Sequence, residues 1–211
     1  MDNLIKVENR VIVQPDIAQT TILIDSSGSM NKIFNTAIDT LKVVINEMDG
    51  CLISVRSFNS CSKLLRDFTD EILNENDNPH GMTNIYGALN DAIVHSISSA
   101  SLTLDIKVHH VFIIITDGLS NAHSELDKEN YMAFQEALKF ESTFIILDSS
   151  INQEASKLLG WNSTPFKNTP KSIKNALEKI RNTVSKINEN IAGKLNPTAN
   201  LLLPTAKMED K

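Results

Sequence analysis

Cysteine is scarce: the chain has two, Cys51 and Cys61, and neither a Cys-x-x-Cys nor a His-x-x-x-His spacing occurs. A zinc site built on sulfur and imidazole is therefore not expected. No stretch approaches the ~18 consecutive apolar residues of a membrane span. The charged start Met1-Asp2-Asn3-Leu4-Ile5-Lys6-Val7-Glu8 lacks the apolar core of a signal peptide. A cytoplasmic protein with two free, buried or half-buried thiols is the expectation. No Lys/Arg cluster exists, and 20 basic against 26 acidic residues leave a net charge of −6. A nucleic-acid interface driven by phosphate contacts is not expected. There is no Walker loop, no Gly-x-Ser-x-Gly elbow and no internal repeat. The 211 residues, 41% apolar and 22% charged, are ordinary for one globular domain with a substantial core.

Hydrophobic periodicity orders the chain. Residues 1–19 hold one short alternation, Val7 to Val13, read as an arm or edge strand. A strand follows at 20–25. From Met30, apolar Phe34, Ala37, Ile38, Leu41, Val44, Ile45 and Met48 recur at helical spacing and stop near Asp49-Gly50. Residues 52–58 and 61–65 read as a hairpin around Asn59-Ser60, which adds one antiparallel strand at a sheet edge. Residues 67–80 are acidic and Asn-rich but lack the calcium-loop spacing, so a solvated loop is expected. A helix over 83–98 and a Ser-rich connection over 99–106 come next. Residues 108–116 are apolar without alternation, as in a strand covered on both faces. A helix over 126–140, bearing Met132, Ala133, Ala137 and Leu138, is followed by a strand at 143–147. A short helix at 151–159 and a short strand within 161–166 complete the sheet. Thr169-Pro170 opens a last helix with stripe Ile173, Ala176, Leu177, Ile180, Val184 and Ile187. The pattern fails after Gly193, and 191–211 is read as an irregular tail carrying Leu201-Leu202-Leu203. The alternation predicts a doubly wound, Rossmann-like α/β fold with a mostly parallel sheet and helices on both faces. The body of the domain spans 20–190.

One stretch carries chemistry. In Thr21-Ile22-Leu23-Ile24-Asp25-Ser26-Ser27-Gly28-Ser29-Met30 an apolar run ends in a carboxylate, and hydroxyls follow at alternate positions. Ligands of open α/β sheets bind at the carboxyl ends of the strands. Asp25, Ser27 and Ser29 offer hard oxygen donors suited to Mg2+, with Gly28 placed where the loop must bend. Taken alone, the run could be no more than a capped loop.

Asp-x-Ser-x-Ser resembles the metal-ion-dependent adhesion site of von Willebrand factor type A domains. Gly81-Met82-Thr83-Asn84-Ile85 resembles the family's threonine loop. Ile113-Ile114-Ile115-Thr116-Asp117-Gly118 resembles its second strand and Asp-Gly. The resemblance covers roughly 20–190. It implies a site of Asp25, Ser27, Ser29, Thr83 and Asp117 around Mg2+, or Mn2+ or Ca2+. Ser27 and Ser29 would bind directly, Thr83 directly or through water, and Asp25 and Asp117 largely through waters. A partner protein's Asp or Glu carboxylate would fill the open position. Rim candidates are Met30, Met82, Asn84, Leu119, Ser120, Asn121 and His123; Met82 stands where many members have Gly. Intracellular members of this kind include tellurium-resistance and stress-response proteins.

Two other function classes fit less well. A scaffold would keep a structural metal and assemble through an edge or the tail. A Mg2+-dependent phosphoryl-transfer enzyme would need a second Asp two residues after Asp25 as general acid, and that position is Ser27. A non-enzyme is expected.

Overall fold

The computed structural model describes residues 17–48, 51–68, 79–101, 108–118, 120–138, 141–149, 153–161, 163–167 and 169–195. The expectations for Val7–Val13, for most of the 67–80 loop and for Leu201-Leu202-Leu203 lie outside these residues.

The elements in chain order are β1 (Ile17–Asp25), a 3-10 turn (Gly28–Lys32), α1 (Phe34–Asn46), β2 (Leu52–Phe58), β3 (Ser62–Arg66) and α2 (Ile85–Ser101). Then come β4 (Val108–Thr116), α3 (Glu125–Leu138), β5 (Ser142–Asp148), α4 (Glu154–Leu159), β6 (Ser163–Pro165) and α5 (Pro170–Leu195). Six strands form one sheet in the order β3-β2-β1-β4-β5-β6. All neighbours are parallel except β2 and β3, the expected antiparallel hairpin. Strand β1 begins at Ile17, three residues earlier than expected, because Ile17 already pairs with Val108. Helix α5 runs to Leu195, past the expected end at 190.

The central strands show why their sequences do not alternate. Ile22 and Ile24 of β1, with Ile113 and Ile115 of β4, pack under α1 and α5. Leu23, Phe112 and Ile114 point the other way, under α2, α3 and α4. Both faces are covered there, so the runs Ile22–Ile24 in β1 and Val111–Ile115 in β4 are apolar without alternation. The α1 and α5 stripes are buried as their spacing implies; Ile187 alone is half-buried. Thr169 acts through its backbone: its carbonyl accepts from the amides of Ser172 and Ile173 at the start of α5.

Helix α3 departs from expectation. Met132 is 59% exposed, and the helix is anchored by Tyr131 and Leu138 instead. An amphipathic tyrosine can enter the core once its hydroxyl is satisfied, and the indole of Trp161 donates to the Tyr131 hydroxyl at 2.7 Å. Burial raises the Tyr131 phenol far above its ordinary value. Both cysteines are free, but only Cys51 is half-buried, receiving the side-chain amide of Asn188. Cys61 is exposed because the hairpin turn sits at the sheet edge.

Tyr131→Phe leaves a buried indole N–H without its acceptor, which costs about 1–3 kcal/mol. Trp161 is the single tryptophan, so denaturant titration followed by its emission measures this loss directly. A change under ~0.5 kcal/mol would mean that water replaces the phenol.

Candidate metal centre

Strands β1 and β4 are neighbours in register, with Ile24 opposite Ile115. Asp25 and Thr116 therefore end adjacent strands side by side at the carboxyl edge. Asp25 has no exposed surface. One carboxylate oxygen accepts the Thr116 hydroxyl at 2.6 Å and the other the Ser27 amide at 2.8 Å. The second bond bends the chain in an Asx turn and sends it into the 3-10 turn, so the helix expected from Met30 starts only at Phe34.

The hydroxyls form a relay. Ser29 Oγ donates to Asp117 Oδ1 at 2.7 Å, and Ser27 and Ser29 Oγ lie 3.1 Å apart. Ser29 spends its one proton on Asp117, so Ser27 is the donor to Ser29. Four side chains from two strand ends are thus joined from Asp25 to Asp117, with the Asp25–Ser27 link passing through the backbone amide.

The threonine loop is sewn to both. Gly28 N–H donates to Gly81 O at 3.4 Å and His80 N–H to Ser26 O at 2.8 Å. On the other side, Thr83 N–H donates to Asn121 Oδ1 at 2.8 Å, and Thr83 O accepts Asn121 N–H at 2.8 Å. Thr83 is buried. Gly81 takes the left-handed φ of 74°, the conformation that favours glycine. Gly28 does not: its φ is ordinary and an added Cβ would meet open space. Its expected role as the bend is taken over by the Asx turn.

The rim candidates separate. Met82 is 56% exposed and Asn121 is exposed. Met30 is not on the rim: it has no exposed surface and packs in the core beneath α1, because the 3-10 turn points it inward. Ser120 is also buried, where its hydroxyl accepts the Ile85 amide and faces Thr83 O and His123. It holds the threonine loop in place. Asn84 accepts the Gly87 amide and donates to Asp127 Oδ2 at 3.2 Å, tying α2 to the start of α3. Leu119 lies outside the described residues. Thr116 was not anticipated from sequence. A hydroxyl closing an otherwise apolar strand just before Asp117 was the available signal.

Burial raises the carboxyl of Asp25 above its ordinary value, against the pull of the Thr116 and Ser27 bonds, and the charge of Asp117 adds to the rise. Burial likewise raises Asp117, against the Ser29 bond. Two desolvated carboxylates beside hydroxyls make a donor set that fits a small hard cation, which would relieve both rises. Among the described residues no group of three or more His, Cys, Asp or Glu side chains could hold a metal. Ligation here would rest on hydroxyls as much as on charge.

The family model of the von Willebrand factor type A domain matches residues 20–146. No curated protein matches the sequence at a significant level. Among solved structures, a von Willebrand factor type A protein from Catenulispora acidiphila is similar at TM-score 0.60 and 14% identity, over 79% of this chain and 42% of that one. Proximal thread matrix protein 1 from the mussel byssus, with a zinc-occupied MIDAS motif, is similar at TM-score 0.57 and 16% identity, over 80% and 48%. The conserved hypothetical protein BatB from Bacteroides thetaiotaomicron is similar at TM-score 0.58 and 17% identity, over 81% and 98%. These likenesses show the fold. The chain spans less than half the length of the first two.

A carboxyl raised in the fold binds its proton more tightly than in the unfolded chain. The folded state is then penalised as pH rises above the ordinary value of 3.8. Asp25→Asn removes the Asp25 share of that penalty. Without metal, the melting temperature of Asp25→Asn should gain on the wild type as pH rises above the ordinary value of 3.8, and added Mg2+ should close the gap. A constant difference across pH would assign Asp25 no such cost.

Proposed function

The chain belongs to the von Willebrand factor type A domain family, and from that premise we propose that it is a divalent-cation-dependent docking module for an acidic residue of a partner protein. Members of this family commonly mediate metal-dependent protein interactions, so the coarse reading follows from membership. The finer reading rests on one observation above all: the oxygens of Asp25, Ser27, Ser29 and Asp117 are already gathered in a hydrogen-bonded chain at the carboxyl edge.

In the proposed arrangement Ser27 and Ser29 turn lone pairs to the ion while keeping their protons on the relay. Thr83 contributes its hydroxyl from the third loop. Asp25 and Asp117 act through water, which leaves the ion electron-poor. The bound cation would supply an acceptor site for a partner carboxylate, a contact strengthened where water is excluded. Mg2+ fits the hard oxygen donors; Mn2+ and Ca2+ are the other candidates. Met82, Asn84 and Asn121 form the rim that a partner would meet, with Leu119 a fourth candidate. We place the module in the cytoplasm as a binding protein, not an enzyme, and take tellurium resistance or stress response as its setting from the resemblance.

Support comes from the chemistry of the donor set and from the zinc-occupied MIDAS motif of the mussel protein. The test is capture of partners from the native cell extract in Mg2+, repeated with EDTA and with the Ser27→Ala/Ser29→Ala variant. Calorimetry with Mg2+ or Mn2+ on both proteins is run alongside. A partner lost with EDTA and with the variant, together with at least tenfold weaker ion binding, is expected. Partner binding indifferent to chelation would favour a scaffold with a structural metal.

Asp117→Ala should also weaken the ion while leaving the metal-free melting temperature equal or higher, since one of two repelling carboxylates is gone. A large drop without metal would make Asp117 a structural residue.

A further inference from the structure

A third carboxylate lies in the same row. Asp148 ends β5 directly opposite Thr116, the last residue of β4. Thr116 in turn bonds Asp25 at the end of β1. Asp25, Thr116 and Asp148 thus stand on three adjacent strands at one height. At ordinary strand spacing Asp148 is about 5 Å from the Thr116 strand position and about 10 Å from that of Asp25. The β4 and β5 ends are further pinned by the Ser149 amide, which donates to Thr116 O at 3.0 Å.

Asp148 has no exposed surface, and full burial of a carboxylate is costly unless its oxygens are engaged. One engagement is clear. Asp148 Oδ2 accepts the Ser156 amide at 3.2 Å. Ser156 is the third residue of α4, whose N-cap Gln153 is left-handed and makes no side-chain cap bond. Asp148 therefore performs from β5 the capping that Gln153 does not. Asparagine could do the same, since its side-chain oxygen accepts equally well. The Ser156 contact by itself needs only a neutral acceptor.

We propose that Asp148 is an anionic positioning residue of the cation site, which draws a divalent ion to Ser27, Ser29 and Asp117 by its charge without touching the ion. Its place in the row supports this. Among the described residues no group of three or more His, Cys, Asp or Glu side chains could hold a metal, so Asp25, Asp117 and Asp148 do not together form a ligand cluster. A cation entering between Asp25 and Asp117 then relieves repulsion from three acids rather than two. It also steadies the residue that caps α4. The inference rests on the docking-module reading of the site, and on the cation part of it alone.

The experiment is calorimetric binding of Mg2+ and Mn2+ to the full chain, with melting curves of each metal-free variant. Asp148→Asn keeps volume and the acceptor for Ser156; Asp148→Ser is a second neutral variant; Asp148→Glu keeps the charge. The neutral variants should bind the ions about tenfold more weakly, the lower end of the range for outer residues of metal sites. Asp148→Glu should stay within about threefold of wild type. Metal-free Asp148→Asn should melt no lower than wild type. Neutral variants with wild-type ion affinity, or an Asp148→Glu affinity as weak as theirs, would overturn the role of the charge. A wild-type chain that binds neither ion would instead overturn the cation reading itself, and this inference with it.

Discussion

The structure turns on a carboxylate buried at the end of its central strand. Asp25 closes β1 with no exposed surface, in a place where an anion is costly. Its two oxygens are engaged by the next strand and by its own loop, through Thr116 and the Ser27 amide. Those bonds decide much that follows. The Ser27 bond bends the chain toward the 3-10 turn, and the turn drives Met30 inward. The Thr116 bond locks the relative heights of β1 and β4, and with them the position of Asp117.

The loops above the sheet are held together by backbone as much as by side chain. Gly28 meets Gly81, Ser26 meets His80, and Thr83 meets Asn121. Asn59, in the β2–β3 turn, accepts the Asn84 amide at 2.7 Å. A loop set fixed in this way costs little to order when a ligand arrives. The cost falls on charge instead: burial raises both Asp25 and Asp117. In the proposed reading, a cation between them would relieve both. Asp148, one strand further along, belongs to the same electrostatic account while serving as the cap of α4.

Much of the fold was legible because two periodicities are strong here. The α1 and α5 stripes and the non-alternating β4 run each allow one reading, since helices and doubly covered strands bury their apolar residues in characteristic patterns. Helix α3 was less legible: its apolar residues are few, and Tyr131 enters the core only because Trp161 supplies a hydrogen-bond donor far away in sequence. Hydropathy cannot register such a pairing. The start of α1 was misplaced for a similar reason, since a side-chain bond from Asp25 interrupts a pattern that apolar spacing alone would continue.

The site divides along the same line. Residue types and spacing by themselves determined that Asp25 ends a buried strand with Ser27 and Ser29 just after it, and that Thr83 and Asp117 flank elements of the same alternating chain. Local chemistry suffices for this, because strand ends and helix starts are marked within a few residues. Only the tertiary structure decided that Thr116 pairs with Asp25, that Ser120 and Met30 are buried away from the rim, and that Asp148 stands in the row. Each depends on which strands lie side by side and at what height. Strand order and register are set by packing across the whole sheet, and no local stretch of sequence carries that information.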